Sequence, residues 1–212
     1  MKDFPFFTTQ NGAAGLCLQE VPYNHKAYIT IHDTQDLSAL LQECVDFCNA
    51  VGAQEIYACN HGALSDYPVY ARILTMERSV AGLPETDAEA VPVTTQGLSR
   101  FQDIYNQKMK NIPAARYLTN QRTKSLLQEE NCFFIYENEN MIGIGIASDG
   151  VISAIASVRP GTGADIVLAL CKGMTAERVS LEVAEENTKA LRLYERLGFS
   201  VTGVKNIWYK IK

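Results

Sequence analysis

The stretch Leu181–Phe199 constrains the fold of this 212-residue chain more than any other part of it. It begins as an apolar strand pattern, after which Asn187 stands where a helix N-cap is expected. Apolar side chains then recur at helical spacing and form one core-facing stripe, which consists of Ala190, Leu193, Tyr194 and Leu197. Gly198 suits the left-handed position that closes a helix, and Phe199 can supply the hydrophobic contact that accompanies it. The stretch therefore predicts a strand followed by a helix that is capped at both ends.

Strand and helix patterns are mixed along the whole chain, which predicts an α/β sheet with helices on both faces. From Val91 onward the predicted order is β-α-α-β-β-β-α-β-α-β. The polar and acidic segment Gly82–Ala90 contains a proline and is the best linker candidate. We therefore predict an N-terminal α/β domain over residues 1–81, a linker over 82–90 and a second domain over 91–212.

A glycine-containing segment, Val158–Asp165 (VRPGTGAD), lies between a predicted strand and a predicted helix. Small residues let the backbone approach a phosphate closely, and the N–H groups at a helix start attract anions. A pyrophosphate suits such a segment, although a plain strand-to-helix turn could use the same residues.

Two polar residues in the first stretch are not explained by packing. Glu182 stands in mid-strand between two apolar residues, so its carboxylate lies either on an exposed sheet face or in a cleft. Tyr194 belongs to the apolar helix stripe but carries a hydroxyl that can seek a partner.

The stretch LEVAEENTKALRLYERLGF resembles the C-terminal signature LEVxxxNxxAxxLYExxGF of the Gcn5-related N-acetyltransferases (GNAT family). Within that family it is similar to the ribosomal-protein N-terminal acetyltransferases, and the element order over residues 91–212 matches a whole GNAT domain. The resemblance implies a mixed, mostly antiparallel sheet flanked by helices. It also implies direct transfer of an acetyl group from acetyl-coenzyme A to a primary amine. The alternatives are a non-catalytic GNAT-fold module that binds a ligand or regulates, and an acyltransferase that uses a longer acyl donor.

The resemblance assigns roles to particular residues. Glu182 would be the base that takes the proton of the substrate ammonium, and Tyr194 the acid that protonates the leaving thiolate. The predicted coenzyme-binding residues are Ala156, Ser157, Val158, Arg159, Gly161, Thr162, Gly163, Ala164, Asp165 and Asn187. The strands on either side, predicted at 151–158 and 178–184, would splay to admit the thioester. Tyr105, Asn106 and Tyr117 would contact the acceptor, although Tyr105 could equally be a core residue.

The glycine segment departs from the family pattern Q/R-x-x-G-x-G/A at two positions. Pro160 stands where Gln or Arg is expected, with Arg159 one place away, and Asp165 stands where Gly or Ala is expected. An aspartate caps a helix well, but its charge opposes a pyrophosphate. These departures support the non-catalytic alternative.

The N-terminal part repeats the order strand, helix, strand, short helix, strand without a glycine loop. It resembles a degenerate half-GNAT, and an unrelated α/β extension is the other interpretation. A loose metal-like spacing occurs at Cys44, Cys48, Cys59 and His61. Because the two helix cysteines fall on an apolar stripe, core packing is favoured and no metal is expected.

Charge and composition limit the partners. The net charge is −5, which gives no electrostatic reason to bind nucleic acid. Basic residues near the predicted acceptor region favour a solvated face, namely Lys108, Lys110, Arg116, Arg122 and Lys124. Met1–Gln10 shows no signal-peptide pattern, and the longest apolar run, Ile166–Cys171, is too short to span a bilayer. We therefore expect a cytoplasmic monomer or homodimer that acts on a small-molecule or peptide amine and does not bind membranes.

Overall fold

A computed structural model describes residues 6–212 of the chain. These residues form two compact units, one of residues 6–72 with Lys205–Lys212 and the other of Ile73–Val204. The expectation for Met1–Gln10 lies in part outside the described residues.

The first unit is a sheet of four strands joined by the end of the last strand of the chain. Its elements are β1 (Phe6–Thr9), β2 (Gly12–Cys17), α1 (Val21–Asn24), β3 (Lys26–Thr34), α2 (Leu37–Ala50), β4 (Glu55–Cys59) and a 3-10 turn at Gly62–Asp66. Strands β1, β2 and β3 are antiparallel neighbours, whereas β3 and β4 pair in parallel through α2. The apolar stripe of α2 packs on this sheet, because Leu40 and Cys44 bury their side chains in one cluster with Ile29 and Ile56.

The second unit is a larger sheet between two helical layers. Its elements are β5 (Val69–Ser79), β6 (Glu89–Pro92), a 3-10 turn at Thr95–Gly97, α3 (Leu98–Met109), α4 (Asn120–Gln128), β7 (Cys132–Glu137), β8 (Asn140–Ser148), β9 (Val151–Ser157), α5 (Gly163–Lys172), β10 (Arg178–Ala184), α6 (Thr188–Arg196) and β11 (Ser200–Lys210). The strand order is β5-β10-β9-β8-β7-β6. All of these neighbours are antiparallel except β9 and β10, which are parallel.

The two faces of this sheet bury separate clusters. On one face Leu181 and Val183 of β10 pack in a cluster with residues of α5 and α6. On the other face Ile144 of β8 and Ala156 of β9 pack with residues of α3 and α4. Because strand side chains alternate between faces, Glu182 points to the side that carries α3 and α4. The predicted α/β fold with helices on both faces is confirmed.

The observed division of the chain differs from the predicted one at 81/82. The second unit begins at Ile73, because β5 pairs with β10 over seven residues, from Ile73 opposite Ala184 to Ser79 opposite Arg178. The predicted linker 82–90 lies inside this unit, where Ala88 is fully buried and β6 begins at Glu89. The chain passes between the units within β5 and again within β11.

Candidate active site

Strands β9 and β10 separate shortly after they begin to pair. Each strand has seven residues, but their parallel ladder has only two pairs, Ser180 with Val151 and Leu181 with Ile152. Strand β9 also carries a bulge, because consecutive residues of β8 lie opposite Ala154 and Ile152 and leave out Ser153. A bulge bends its strand and ends regular pairing. The bulge at Ser153 therefore opens the sheet where the splayed strands were expected.

The glycine segment before α5 is shaped by two glycines for two different reasons. Gly161 has a φ of 88°, a left-handed conformation that favours glycine, and no heavy atom lies within 4 Å of a Cβ built there. Gly163 starts α5, and a Cβ built there would lie 2.8 Å from Cδ2 of Leu193 in α6. The segment thus leaves open space at Gly161 and lets α5 approach α6 closely at Gly163.

Helix α5 begins without a side-chain cap. Thr162 is the N-cap residue and is 4% exposed, but its side chain makes no capping bond. Its hydroxyl instead lies 2.8 Å from the carbonyl oxygen of Arg159 and 3.2 Å from that of Ile142. The first N–H groups of a helix have no partner within the helix. Those of Gly163, Ala164 and Asp165 are therefore available to an anion, which the helix dipole also favours.

Two charged side chains of this segment have partners within the protein. The Arg159 guanidinium pairs with the Glu137 carboxylate of β7. The Thr86 hydroxyl donates a hydrogen bond of 3.3 Å to the Asp165 carboxylate. The negative charge of Asp165 nevertheless lies in the first turn of α5, where it opposes a bound phosphate. The backbone of the segment is therefore better suited to an anion than its side chains are.

The end of β9 is held on one side only by β8. Ala156 lies opposite Ile144 and is buried, Ser157 lies opposite Gly143, and the Val158 N–H donates to the Ile142 carbonyl oxygen. The other side of β9 faces the opening left by β10. An extended ligand could add to that edge as a strand does.

Glu182 stands at the point where the strands diverge. It is the first residue of β10 beyond the last pair with β9, and its side chain is exposed on the face that carries α3 and α4. Ser153 is the corresponding first residue on β9. Paired strands lie about 5 Å apart, and Glu182 and Ser153 directly follow the last pair. The two residues therefore lie at the narrow end of the opening.

Tyr194 lies in the core-facing stripe of α6. It is 6% exposed, and its ring contacts that of Phe199 edge-on at a centroid distance of 5.8 Å. Burial raises the pKa of Tyr194 to about 12, so the hydroxyl keeps its proton at neutral pH. The predicted caps of α6 are confirmed, because Asn187 Oδ1 accepts from the Ala190 N–H at 3.4 Å and Gly198 has a φ of 85°.

The predicted acceptor residues play different structural parts. Tyr105 is 9% exposed and belongs to the core beneath α3. Together with Tyr117 it also lines a hollow of about 160 Å³. The carboxamide of Asn106 binds both backbone groups of Leu118, as acceptor at 2.8 Å and as donor at 3.0 Å. Asn106 therefore fixes the segment that carries Tyr117. A role for any of the three in acceptor binding stays a prediction.

The hollow also contains residues that sequence reasoning did not assign to the site. We call it the acceptor hollow, and its lining residues are Tyr105, Arg116, Tyr117, Leu118, Arg122, Leu126, Ile146, Ser153 and Ala154. No sequence pattern marks Ser153 as a bulge, since that depends on pairing with β8. Arg116 and Arg122 carried a weak signal, because they flank the predicted acceptor residue Tyr117. The acceptor hollow links that region to the start of the opening at Ser153.

A larger cavity, of about 570 Å³, lies at the other end of α5 and is lined by residues such as Phe133, Lys172 and Met174. A ten-residue helix is about 15 Å long, so this cavity is distant from the open N-terminus of α5. It includes neither the glycine segment nor the diverging strands. We therefore place the candidate site at the smaller acceptor hollow and the opening beside it.

Solved structures with a similar fold include a GCN5-related N-acetyltransferase from Sphaerobacter thermophilus (TM-score 0.57, 18% identity, 94% of this chain and 76% of that one). Another is an acetyltransferase from the GNAT family from Colwellia psychrerythraea (TM-score 0.54, 10% identity, covering 98% of this chain and 84% of that one). A third is a tandem GNAT protein from the clavulanic acid biosynthesis pathway (TM-score 0.56, 12% identity, covering 94% of this chain and 79% of that one).

The chain has the GNAT fold. No protein-family model matches the sequence, and no curated protein matches it. At these identities the likeness establishes the GNAT fold, and the closer similarity to ribosomal-protein acetyltransferases stays a prediction. The resemblance carried by Leu181–Phe199 therefore identified the GNAT fold correctly.

Within residues 6–212, no group of three or more His, Cys, Asp or Glu side chains is placed to hold a metal ion. In the same part of the chain, no helix is long and apolar enough to cross a membrane. Cys44, Cys48 and Cys59 are buried free thiols, and His61 Nδ1 accepts from the Ala63 N–H at the start of the 3-10 turn.

Proposed function

We propose that this protein transfers an acetyl group from acetyl-coenzyme A directly to a primary amine at the site in its second unit. The observation that carries the proposal is the divergence of β9 and β10 beside an uncapped helix start. An opening in a sheet and an anion site lie next to each other there. The GNAT fold of the chain supports an acetyl-transfer role in general.

The residues of the site fit acetyl-coenzyme A in two respects. The N–H groups of the segment from Gly161 to Asp165 bind the pyrophosphate, and Gly161 leaves room for it. The end of β9 and the residue after it, Ala156–Val158, pair with the pantetheine arm along the edge that β10 leaves open. The bound donor supplies an acetyl group activated as a thioester, and the strand opening admits it to the face that carries Glu182.

Proton transfers at the reacting atoms are assigned to two residues. Glu182 accepts the proton of the acceptor ammonium, through water, because an amine must be neutral before its nitrogen attacks a carbonyl. Tyr194 gives its proton to the sulfur as the carbon–sulfur bond breaks. The raised pKa of Tyr194, about 12, keeps that proton in place until the sulfur becomes negative. The buried position also excludes water from the donated hydrogen bond.

The first unit is proposed to be a degenerate half-GNAT. The segment β3–α2–β4 repeats the connectivity of β9–α5–β10, and both segments are parallel. The likeness of nearly the whole chain to a tandem GNAT protein supports this proposal. We assign catalysis to the second unit and no coenzyme site to the first.

A non-catalytic GNAT-fold module is the second candidate. The Asp165 carboxylate in the first turn of α5 and the pairing of Arg159 with Glu137 favour it, because both weaken the site for a pyrophosphate. Such a module would bind a ligand or regulate without turnover.

Calorimetric titration with acetyl-coenzyme A separates the two candidates. We expect saturable binding, followed by release of free coenzyme A when a library of primary amines is added. Binding without turnover across small-molecule and peptide amines would favour the non-catalytic module. The absence of both heat and a thermal shift at saturating ligand would refute the enzyme. The same preparation, analysed by sedimentation, decides between monomer and homodimer.

A further inference from the structure

The acceptor hollow has an unusual charge for a site that receives an ammonium group. Arg116 and Arg122 both line it, and no acidic side chain does among the lining residues that the structure describes. The remaining lining is aromatic, aliphatic or small. The charged side chains that line the hollow are therefore both basic, although the whole chain has a net charge of −5.

The two arginines differ in their exposure and in the contacts around them. Arg116 is half-buried, and it belongs to the segment that Asn106 fixes through Leu118. Arg122 begins the exposed face of α4 and forms a 3.4 Å ion pair with Glu129, in which both side chains are about half exposed. Exposed pairs contribute little free energy, so Arg122 can exchange Glu129 for another anion at small cost. A guanidinium is also the side chain whose planar donors match a carboxylate best.

The acceptor hollow and the opening carry side chains of opposite charge on the same face of the sheet. Glu182 lies at the divergence of the strands, and Ser153 joins that point to the hollow that holds the arginines. A ligand with an ammonium group at one end and an anion a few bonds away complements this arrangement. The volume of about 160 Å³ suits a small head group and not a whole folded peptide.

We infer that the acceptor is an amine that also carries a small anionic group, a carboxylate first of all, and that Arg116 and Arg122 bind this anion in the acceptor hollow. The inference rests on the proposed function, since it names the class of acceptor for the same site. Asn106 is a positioning residue in this arrangement, because it holds the backbone that carries Arg116.

The test compares acceptors that differ only in the anion, with the full-length protein and saturating acetyl-coenzyme A. The pairs are leucine and isoamylamine, β-alanine and ethylamine, and phosphoethanolamine and ethanolamine. We expect the anionic member of a carboxylate pair to have a kcat/KM higher by roughly 10- to 100-fold, as a charge-assisted pair provides. A preference confined to phosphoethanolamine would assign the hollow to phosphate and overturn the carboxylate assignment.

Variants show whether the arginines cause the preference. Arg116→Gln and Arg122→Gln should each raise KM for the anionic acceptor by roughly 10-fold or more, so that the ratio of kcat/KM between the two members of a pair becomes smaller. Lys124→Gln, an exposed change on α4 outside the hollow, is the matched control and should alter neither. Equal use of both members by the parent protein, or discrimination that survives in both arginine variants, would overturn the inference while leaving acetyl transfer intact.

The anion site can also be tested if the proposed acetyl transfer fails. If acetyl-coenzyme A does not bind, or no amine is acetylated, leucine is titrated into the parent protein and into Arg116→Gln by calorimetry. Binding that the substitution abolishes supports the anion site without the enzyme. No binding to the parent protein overturns the inference.

Discussion

The segments β3–α2–β4 and β9–α5–β10 share their connectivity but differ in how the two parallel strands meet. All five residues of β4 pair with β3, from Glu55 opposite Lys26 to Cys59 opposite Thr30. Only two residues of β10 pair with β9 before the bulge at Ser153. The first segment is therefore a closed piece of sheet, whereas the strands of the second diverge and leave an opening between them.

The helices of the two segments also begin differently. Asp36 caps α2, because its carboxylate accepts from the Ala39 N–H at 3.0 Å. Thr162 at the start of α5 uses its hydroxyl on carbonyl oxygens and leaves the helix N–H groups available. A carboxylate at the first site already provides the negative charge that the helix dipole favours. Of these two helix starts, only that of α5 leaves the capping position open to an anionic ligand.

The interior of α2 confirms that the closed segment is built for packing. Cys44 and Cys48 lie one turn apart on its buried stripe, and burial raises their pKa values to about 12 and about 11. Thiols of this kind stay protonated at neutral pH and behave as small apolar side chains. One connectivity thus gives either a structural element or a candidate site, and the bulge and the helix cap decide which.

The largest expected effect tests whether chemistry depends on the open segment alone. Glu182→Gln should lower kcat by roughly 10²- to 10⁴-fold, because general-base catalysis is lost while coenzyme binding is not. The matched control is Glu55→Gln in β4 of the closed segment, which should leave kcat unchanged. Steady-state rates across pH provide the measurement. A Glu182→Gln variant that keeps the parent rate and pH profile would remove Glu182 as the base.

Tyr194→Phe should lower kcat by about 10²-fold and leave the affinity for acetyl-coenzyme A nearly unchanged, since only the donated proton is lost. The control in the closed segment is Tyr57→Phe. The Tyr57 hydroxyl donates a hydrogen bond to Glu55, and its loss should not affect turnover. Equal turnover by Tyr194→Phe and the parent protein would exclude Tyr194 as the acid.

The titration of Tyr194 should make the free energy of unfolding depend on pH. Burial raises the folded-state pKa to about 12, above the ordinary value of about 10 for an unfolded chain. The neutral form is therefore favoured in the folded state, and its contribution to stability is complete below about pH 10 and is lost as the pH rises towards 12. Ultraviolet titration of tyrosinate in the parent protein and in Tyr194→Phe measures the difference. An early-titrating tyrosine that disappears in the variant would contradict it.

Local features of the sequence predicted the elements well and the site only in part. The strand at 178–184 and both caps of α6 depend on residues close in sequence, and they agree with the structure. The bulge at Ser153 depends on the register with β8, and the burial of Ala88 depends on packing in a cluster with residues distant in sequence. Single-sequence patterns carry no information about such distant partners.

The side chains of the predicted site show the same limit. Asn106 is polar, and its position in the acceptor region suggested a contact with the acceptor. The structure commits its carboxamide to the Leu118 backbone twelve residues away. Arg159 was expected at the coenzyme, but its charge is paired with Glu137 at the end of β7. The elements of a site follow from sequence more readily than the partners of its polar groups.

Gly163→Ala tests whether the close approach of α5 to α6 matters for the open segment. The new Cβ would lie 2.8 Å from Cδ2 of Leu193, so either the Leu193 side chain or the helix start must move, at a cost of up to about 3 kcal/mol. We expect the affinity for acetyl-coenzyme A to fall by about 10-fold or more. Gly173→Ala at the other end of α5 is the control, because no heavy atom lies within 4 Å of a Cβ built there. Equal affinities for the two variants would show that the spacing at Gly163 is unimportant.

The smallest effects compare the two helix starts directly. Asp36→Ala removes the cap of α2 and should lower the free energy of unfolding by about 1 kcal/mol, without changing the affinity for acetyl-coenzyme A. Asp165→Asn removes a negative charge from the first turn of α5 and should raise that affinity a few-fold, more at low salt, because the charge opposes the pyrophosphate. Urea unfolding and calorimetry at two salt concentrations measure both. If Asp165→Asn weakens binding, the carboxylate helps to hold the segment through Thr86, and the anion site does not depend on the open helix start alone.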